Sequence, residues 1–166
     1  MSGPPGAGKS TLAHALAARV GIPAIIRDEI KQGMVAATVP TSDGLLRRAD
    51  RARPRWCQRG RRSRVPELWR PNLLRVAEFA EIRINYCTAP QHMFHDRITH
   101  RAEHDLHRRA HNDADLLAEI AAGTRTAESF VPVKMDVAQM TVDTTNGYEP
   151  GFDAIARFVT TPDQQL

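Results

Sequence analysis

Nine consecutive residues, Gly3-Pro4-Pro5-Gly6-Ala7-Gly8-Lys9-Ser10-Thr11, carry the densest chemistry in this 166-residue chain. Glycine at 3, 6 and 8 admits backbone dihedrals closed to residues with a Cβ and lets amides approach an anion closely. Successive amides so arranged form an anion-binding nest. A helix opening directly behind them adds its N-terminal partial positive charge. Lys9 follows Gly8 where an ammonium reaches the outer phosphates of a nucleoside triphosphate, and the Ser10 hydroxyl is placed to bind Mg²⁺. Thr11 falls beside the innermost phosphate. Spacing and residue types together predict a site for a nucleoside triphosphate with Mg²⁺, built from Gly3, Pro4, Pro5, Gly6, Ala7, Gly8, Lys9, Ser10 and Thr11.

Such a loop must be positioned by a helix, and the sequence supplies one. Leu12, Leu16 and Val20 recur at spacing four, and Gly21 gives a stop, so a helix is predicted over 9–20. Ile22-Pro23-Ala24-Ile25-Ile26 reads as a short buried strand with Pro23 near its start. Asp28 then caps a helix from Glu29 to about Val35. Arg70-Pro71 opens another helix to about Ala80. Alternation of Ile82, Ile84 and Tyr86 with Arg83, Asn85 and Cys87 predicts a strand. Ala89-Pro90 ends it, and a charged helix runs from about Gln91 to Arg109. A further helix over 113–122 closes at Gly123. A short strand at 140–142, a turn at Asn146-Gly147 and an amphipathic helix over 152–159 complete the pattern, with 160–166 as a tail. Strands alternating with helices predict an α/β fold on a parallel sheet, whose ligands bind at the carboxyl ends of the strands.

The bulk composition bounds the class. The length suits one domain with a core of its own, here expected over 1–159. Two cysteines, Cys57 and Cys87, make no disulfide framework, and no signal peptide or membrane-length apolar run is present, so a soluble cytoplasmic protein is expected. The net charge of +4 hides an uneven distribution. Residues 47–64 hold nine arginines and one acid, Asp50, for a local charge of +8, which leaves −4 for the remainder.

With these pieces in order, the chain resembles the small P-loop kinases. It is most similar to single-domain bacterial proteins described as AAA family ATPases, related to zeta-toxin, chloramphenicol phosphotransferase and polynucleotide kinase-like enzymes. The resemblance rests on residues 3–11, on Arg27-Asp28-Glu29-Ile30-Lys31, on the arginine-rich helix from Arg97 to Arg109, and on Val142-Asp143-Thr144-Thr145-Asn146-Gly147-Tyr148. It covers Ser2 to about Arg48 and Leu68 to Val159. It implies a three-layer α/β/α P-loop fold and transfer of phosphate from ATP to a hydroxyl on a small-molecule or nucleotide-like acceptor. Asp28 would contact that hydroxyl and act as general base, and Lys31 would hold an anionic part of the acceptor. Residues 91–123 would form the lid, with Arg101 and Arg109 the favoured of its arginines for stabilising charge in transfer. Asp143 and Thr144 would border the adenine. A monomer is expected.

Alternative readings stand beside these. Asp28 also serves as a helix N-cap, and Asp143 as an Asx turn. Arg97 and Arg101 share a helix face, where Glu103 and Asp105 offer surface partners. His100, His104, His107 and His111 have helical spacings that a metal accepts, or simply make the lid polar. At the level of function, the alternatives are a nucleotide-binding switch or ATPase without a small acceptor, and a nucleic-acid-binding protein on a degenerate kinase scaffold.

Two departures from the family pattern are notable. Only Met1-Ser2 precede the loop where a central strand is called for, as a start codon placed too late would produce. The third strand, which should end in an acid, is replaced by Arg51 to Pro66, which has no apolar run. Its mixture of Arg, Pro, Gly, Trp and Cys is what a shifted reading frame of GC-rich DNA encodes. The alternative is an arginine-rich arm that neutralises nucleic-acid phosphates, with Trp56 stacking on a base. An incomplete sheet is therefore expected, its first strand truncated and its third disrupted.

Overall fold

A computed structural model of the chain describes residues 1–26, 28–30, 65–104, 113–124 and 130–161. The arginine-rich segment up to Arg64, with Trp56 and Cys57, lies outside the described residues, as do Lys31, Arg109, His107 and His111. Among the described residues the architecture is mixed α/β around a two-stranded parallel sheet. In chain order its elements are α1 (Lys9–Val20), α2 (Val65–Ala77), β1 (Arg83–Thr88), α3 (Gln91–His104), α4 (Asp113–Ala121), β2 (Ala138–Asp143) and α5 (Phe152–Thr160).

The sheet register pairs Asn85 with Met140, Cys87 with Val142 and Thr88 with Asp143. Residues opposite one another share a face, so Asn85, Cys87, Met140 and Val142 lie together. Cys87 and Val142 are fully buried on that face. They join Ala7, Leu12 and Leu16 before and along α1, Phe94 and Ile98 of α3, and Ile155 and Ala156 of α5 in one core. Helix α1 is thereby fixed by the two leucines its spacing predicted. It ends as expected at Gly21, whose left-handed conformation (φ 78°, ψ 28°) lets its amide bond the Ala17 carbonyl. On the opposite face Tyr86 OH bonds the Phe130 carbonyl, which draws the 130–133 segment against the sheet. Arg83 bonds both Glu81 and the Phe158 carbonyl, tying the start of β1 to α5.

The residue just before the glycine-rich loop pairs alongside β1. Ser2 makes a parallel bridge to Tyr86: its amide bonds the Asn85 carbonyl and its carbonyl accepts from the Cys87 amide, both at 2.8 Å. These two bonds hold the entry to the glycine-rich loop against β1.

Other expectations need correction. Residues 22–26 form no strand; the segment is irregular, and Ile25 is 84% exposed. A strand is stable only within a ladder, and among the described residues nothing pairs with it. The helix expected to open at Arg70-Pro71 begins at Val65, with Pro71 inside it. An internal proline loses its own N–H bond and its ring crowds the carbonyl four residues back, a cost this helix bears without ending at Pro71. Strand β2 is longer than 140–142 by two residues before and one after. Helix α3 is described to His104, short of the expected end at Arg109.

Candidate functional site

The glycine-rich loop takes the backbone its sequence requires. Gly3, Gly6 and Gly8 have φ of 127°, 80° and 70°. Gly3 is held by packing as well as by its dihedral, since a Cβ there would lie 2.2 Å from the Cys87 carbonyl oxygen. At Gly6 a Cβ would lie 2.9 Å from the Phe94 carbonyl oxygen, so the loop rests on the first turns of α3. Gly8 is the N-cap of α1; having no side chain, it leaves the first-turn amides of the helix uncapped, and that turn contains no acid. Ala7 is fully buried beneath the loop, whereas Ser10 and Thr11 are exposed.

Lys9 is turned back over the loop. Its Nζ donates to the Pro4 carbonyl at 2.7 Å, and the Ala7 amide donates to the same oxygen at 3.2 Å. Lys9 also carries its charge close to Cys87. Burial pushes the Cys87 thiol up, with Lys9 opposing that shift only in part.

Thr144, directly after β2, closes the other side of the site and is buried. Its amide bonds the Thr88 carbonyl at 2.9 Å, which joins the ends of β1 and β2. Its hydroxyl lies 3.2 Å from the Thr88 carbonyl oxygen and 3.4 Å from that of Ala7. A Cβ on Gly8 would sit 3.6 Å from the Thr144 side chain. Asp143 makes the Asx turn that its sequence allows, accepting from the Thr145 amide at 2.7 Å. The Thr145 hydroxyl and amide hold the Asp143 carboxyl below its ordinary value, and Arg97 adds a smaller attraction. The amide makes the bond of regular geometry.

The two arginines that share a face of α3 part company. Arg101 donates to Asp113 through Nε at 3.1 Å and Nη2 at 2.9 Å, joining α3 to the first residue of α4. Its partner is thus an acid beyond the helix and not Glu103, while Asp105 lies outside the described residues. Arg97 instead points at the glycine-rich loop. Its Nη1 donates to the Gly6 carbonyl at 3.2 Å and to the Thr144 hydroxyl at 3.0 Å, and its Nη2 donates to the Thr144 carbonyl at 2.6 Å. Neither Arg97's link to the loop nor Asp113 was singled out by sequence reasoning. Both depend on tertiary approach and leave no local signal beyond the helix periodicity.

Asp28 opens a helical turn with Glu29 and Ile30, whose amides bond the Ile26 carbonyl. That turn is set beside α1 by a 2.7 Å bond between His14 Nε2 and Glu29 Oε1. The rings of His100 and His104 stack with centroids 4.3 Å apart, and His104 Nδ1 donates to the His100 carbonyl. Among the described residues no cluster of histidine, cysteine and acidic groups has metal-binding geometry. Among the same residues no helix is long and apolar enough to cross a membrane.

The site thus brings together the loop of residues 3–8, the start of α1, Arg97, Thr88 and Asp143-Thr144, all around the ends of two parallel strands. Comparison with protein-family models, with curated proteins and with solved structures finds no match to the chain.

Proposed function

We propose that the chain binds a nucleoside triphosphate, ATP, in the loop of residues 3–11 and transfers a phosphoryl group to a hydroxyl of a small or nucleotide-like acceptor, on a P-loop kinase scaffold. The observation that carries this reading is the loop's backbone. Three glycines at positive φ wrap the uncapped N-terminus of α1, and the Lys9 ammonium lies over them. Loop amides, a helix end without a neighbouring acid and a lysine form a donor set for an anion of several charges.

The residues present also fit Mg²⁺ bound to the nucleotide. The exposed Ser10 hydroxyl is the group that would hold it, and the ion would neutralise charge across the phosphates. Lys9 contributes positive charge to the transferred group. Asp28 accepts the proton of the attacking hydroxyl as the new oxygen–phosphorus bond forms, while the bond from the γ-phosphorus to the β,γ-bridging oxygen breaks and the nucleoside diphosphate leaves. Arg101 stabilises charge in transfer by exchanging its Asp113 contact for a phosphate, and Arg109 shares that role. Lys31 holds the acceptor, and Asp143 and Thr144 border the base.

Titration calorimetry of the purified chain with a non-hydrolysable ATP analogue and Mg²⁺ tests the reading. Saturable binding is expected, weakened about tenfold or more in Lys9→Ala, a loss of about 1.4 kcal/mol. Absence of saturable binding by the wild-type chain would sink it.

A further inference from the structure

We infer that Arg97 is a positioning residue, whose planar fork sets the backbone of the glycine-rich loop against the end of β2. The inference rests on the nucleotide reading for its consequence, tighter phosphate binding, but the geometry behind it stands independently. Arg97 lies on α3 between Phe94 and Ile98, both buried in the core, so its backbone is firmly held. From there its two terminal nitrogens reach three acceptors on two separate segments: the Gly6 carbonyl, the Thr144 hydroxyl and the Thr144 carbonyl.

The contact with Gly6 has a directional effect. In a planar trans peptide the C=O and the following N–H point opposite ways. Drawing the Gly6 carbonyl toward Arg97 therefore turns the Ala7 N–H the other way, across the loop, where it bonds the Pro4 carbonyl. A glycine at φ 80° has several other conformations open to it. An external donor on its carbonyl selects one of them. Thr144 completes the brace, because the hydroxyl that accepts from Arg97 also lies against Ala7 and Thr88. Arginine suits this role and lysine does not: a guanidinium presents several donors in a fixed plane, whereas an ammonium is a point charge on a flexible stem.

The test compares the wild-type chain with Arg97→Ala, Arg97→Lys and Thr144→Val, by amide hydrogen exchange over residues 3–8 without nucleotide and by affinity for the ATP analogue. Exchange in the loop should rise about tenfold in both Arg97 variants, the loss of about one to two net hydrogen bonds, and a few-fold in Thr144→Val. Amides of α5 should be unchanged, and analogue affinity should fall about tenfold with the Arg97 changes. If Arg97→Lys restores both loop protection and affinity, charge and not the fork is what matters, and the inference is overturned. Unchanged loop exchange in all the variants overturns it too, even where affinity falls, since Arg97 would then act on the nucleotide directly. Should Arg97→Ala not fold, Thr144→Val decides on the same loop amides. If the wild type binds no analogue while loop exchange responds as expected, the positioning role holds and the nucleotide reading falls.

Discussion

Arg101 and Asp113 are joined by two hydrogen bonds, Nε–Oδ2 at 3.1 Å and Nη2–Oδ1 at 2.9 Å, and this pair ties α3 to α4. The Asp113 side chain is 9% exposed and that of Arg101 25%. Removing one partner of a buried ion pair leaves an uncompensated charge, which costs more than the pair itself contributes. Asp113→Ala should destabilise the chain by about 3 kcal/mol, and Arg101→Met/Asp113→Leu by clearly less. Urea unfolding of the single and double variants measures the coupling. Equal losses in Asp113→Ala and in the double variant would show that the pair contributes through packing alone.

Glycines 3 and 21 both have positive φ, yet they should respond differently to alanine. Gly21 has no atom within 4 Å of a new Cβ, so Gly21→Ala meets only the left-handed backbone cost, about 1 kcal/mol. Gly3→Ala also drives a methyl group to 2.2 Å from the Cys87 carbonyl oxygen, and should cost more than about 2 kcal/mol. It should also disrupt the two bonds that Ser2 makes with β1. Thermal unfolding of the two variants side by side checks the ordering, and a milder effect at Gly3 than at Gly21 would contradict it.

Asp143 predicts a pH dependence. Its carboxyl is held below the ordinary value of 3.8 in the folded chain, first by Thr145. A group with a depressed folded pKa stabilises the fold above its unfolded pKa, and that contribution is lost as pH falls through the folded pKa. The wild-type chain should therefore be more stable than Asp143→Asn near pH 6, and the two should converge as the medium is acidified below about pH 3.8. Thermal melts across pH 2.5–7, about the range that titrates a carboxylate, show this directly. A gap that persists at the acid end would mean that the asparagine disturbs the turn itself.

Local patterns were legible where local forces decide. Leu12, Leu16 and Gly21 fix α1 by spacing and by a left-handed stop, and the alternation around Ile84 and Tyr86 gave β1 to within a residue. Residues 22–26 misled because apolar, β-branched content signals a strand only when a neighbour completes the ladder. Pro71 misled because proline at the start of a helix and proline inside one look alike in sequence. At the candidate site the loop was plain from its glycines. The division of labour between Arg97 and Arg101 was not, because four-residue spacing gives both the same face and says nothing about which meets Asp113 and which meets Gly6.

The Pro4 carbonyl, acceptor to both Lys9 Nζ and the Ala7 amide, makes the loop its own competitor. An incoming phosphate oxygen must take both donors from an oxygen that already satisfies them, so hydrogen bonds are exchanged and their number hardly changes. The affinity of the loop for an anion then reports a difference between two acceptors, one neutral and one charged. Charge-assisted bonds are roughly twice as strong as neutral ones, which sets the sign of that difference. A carbonyl built into the loop would discriminate against weak, neutral acceptors before any side chain outside it is involved.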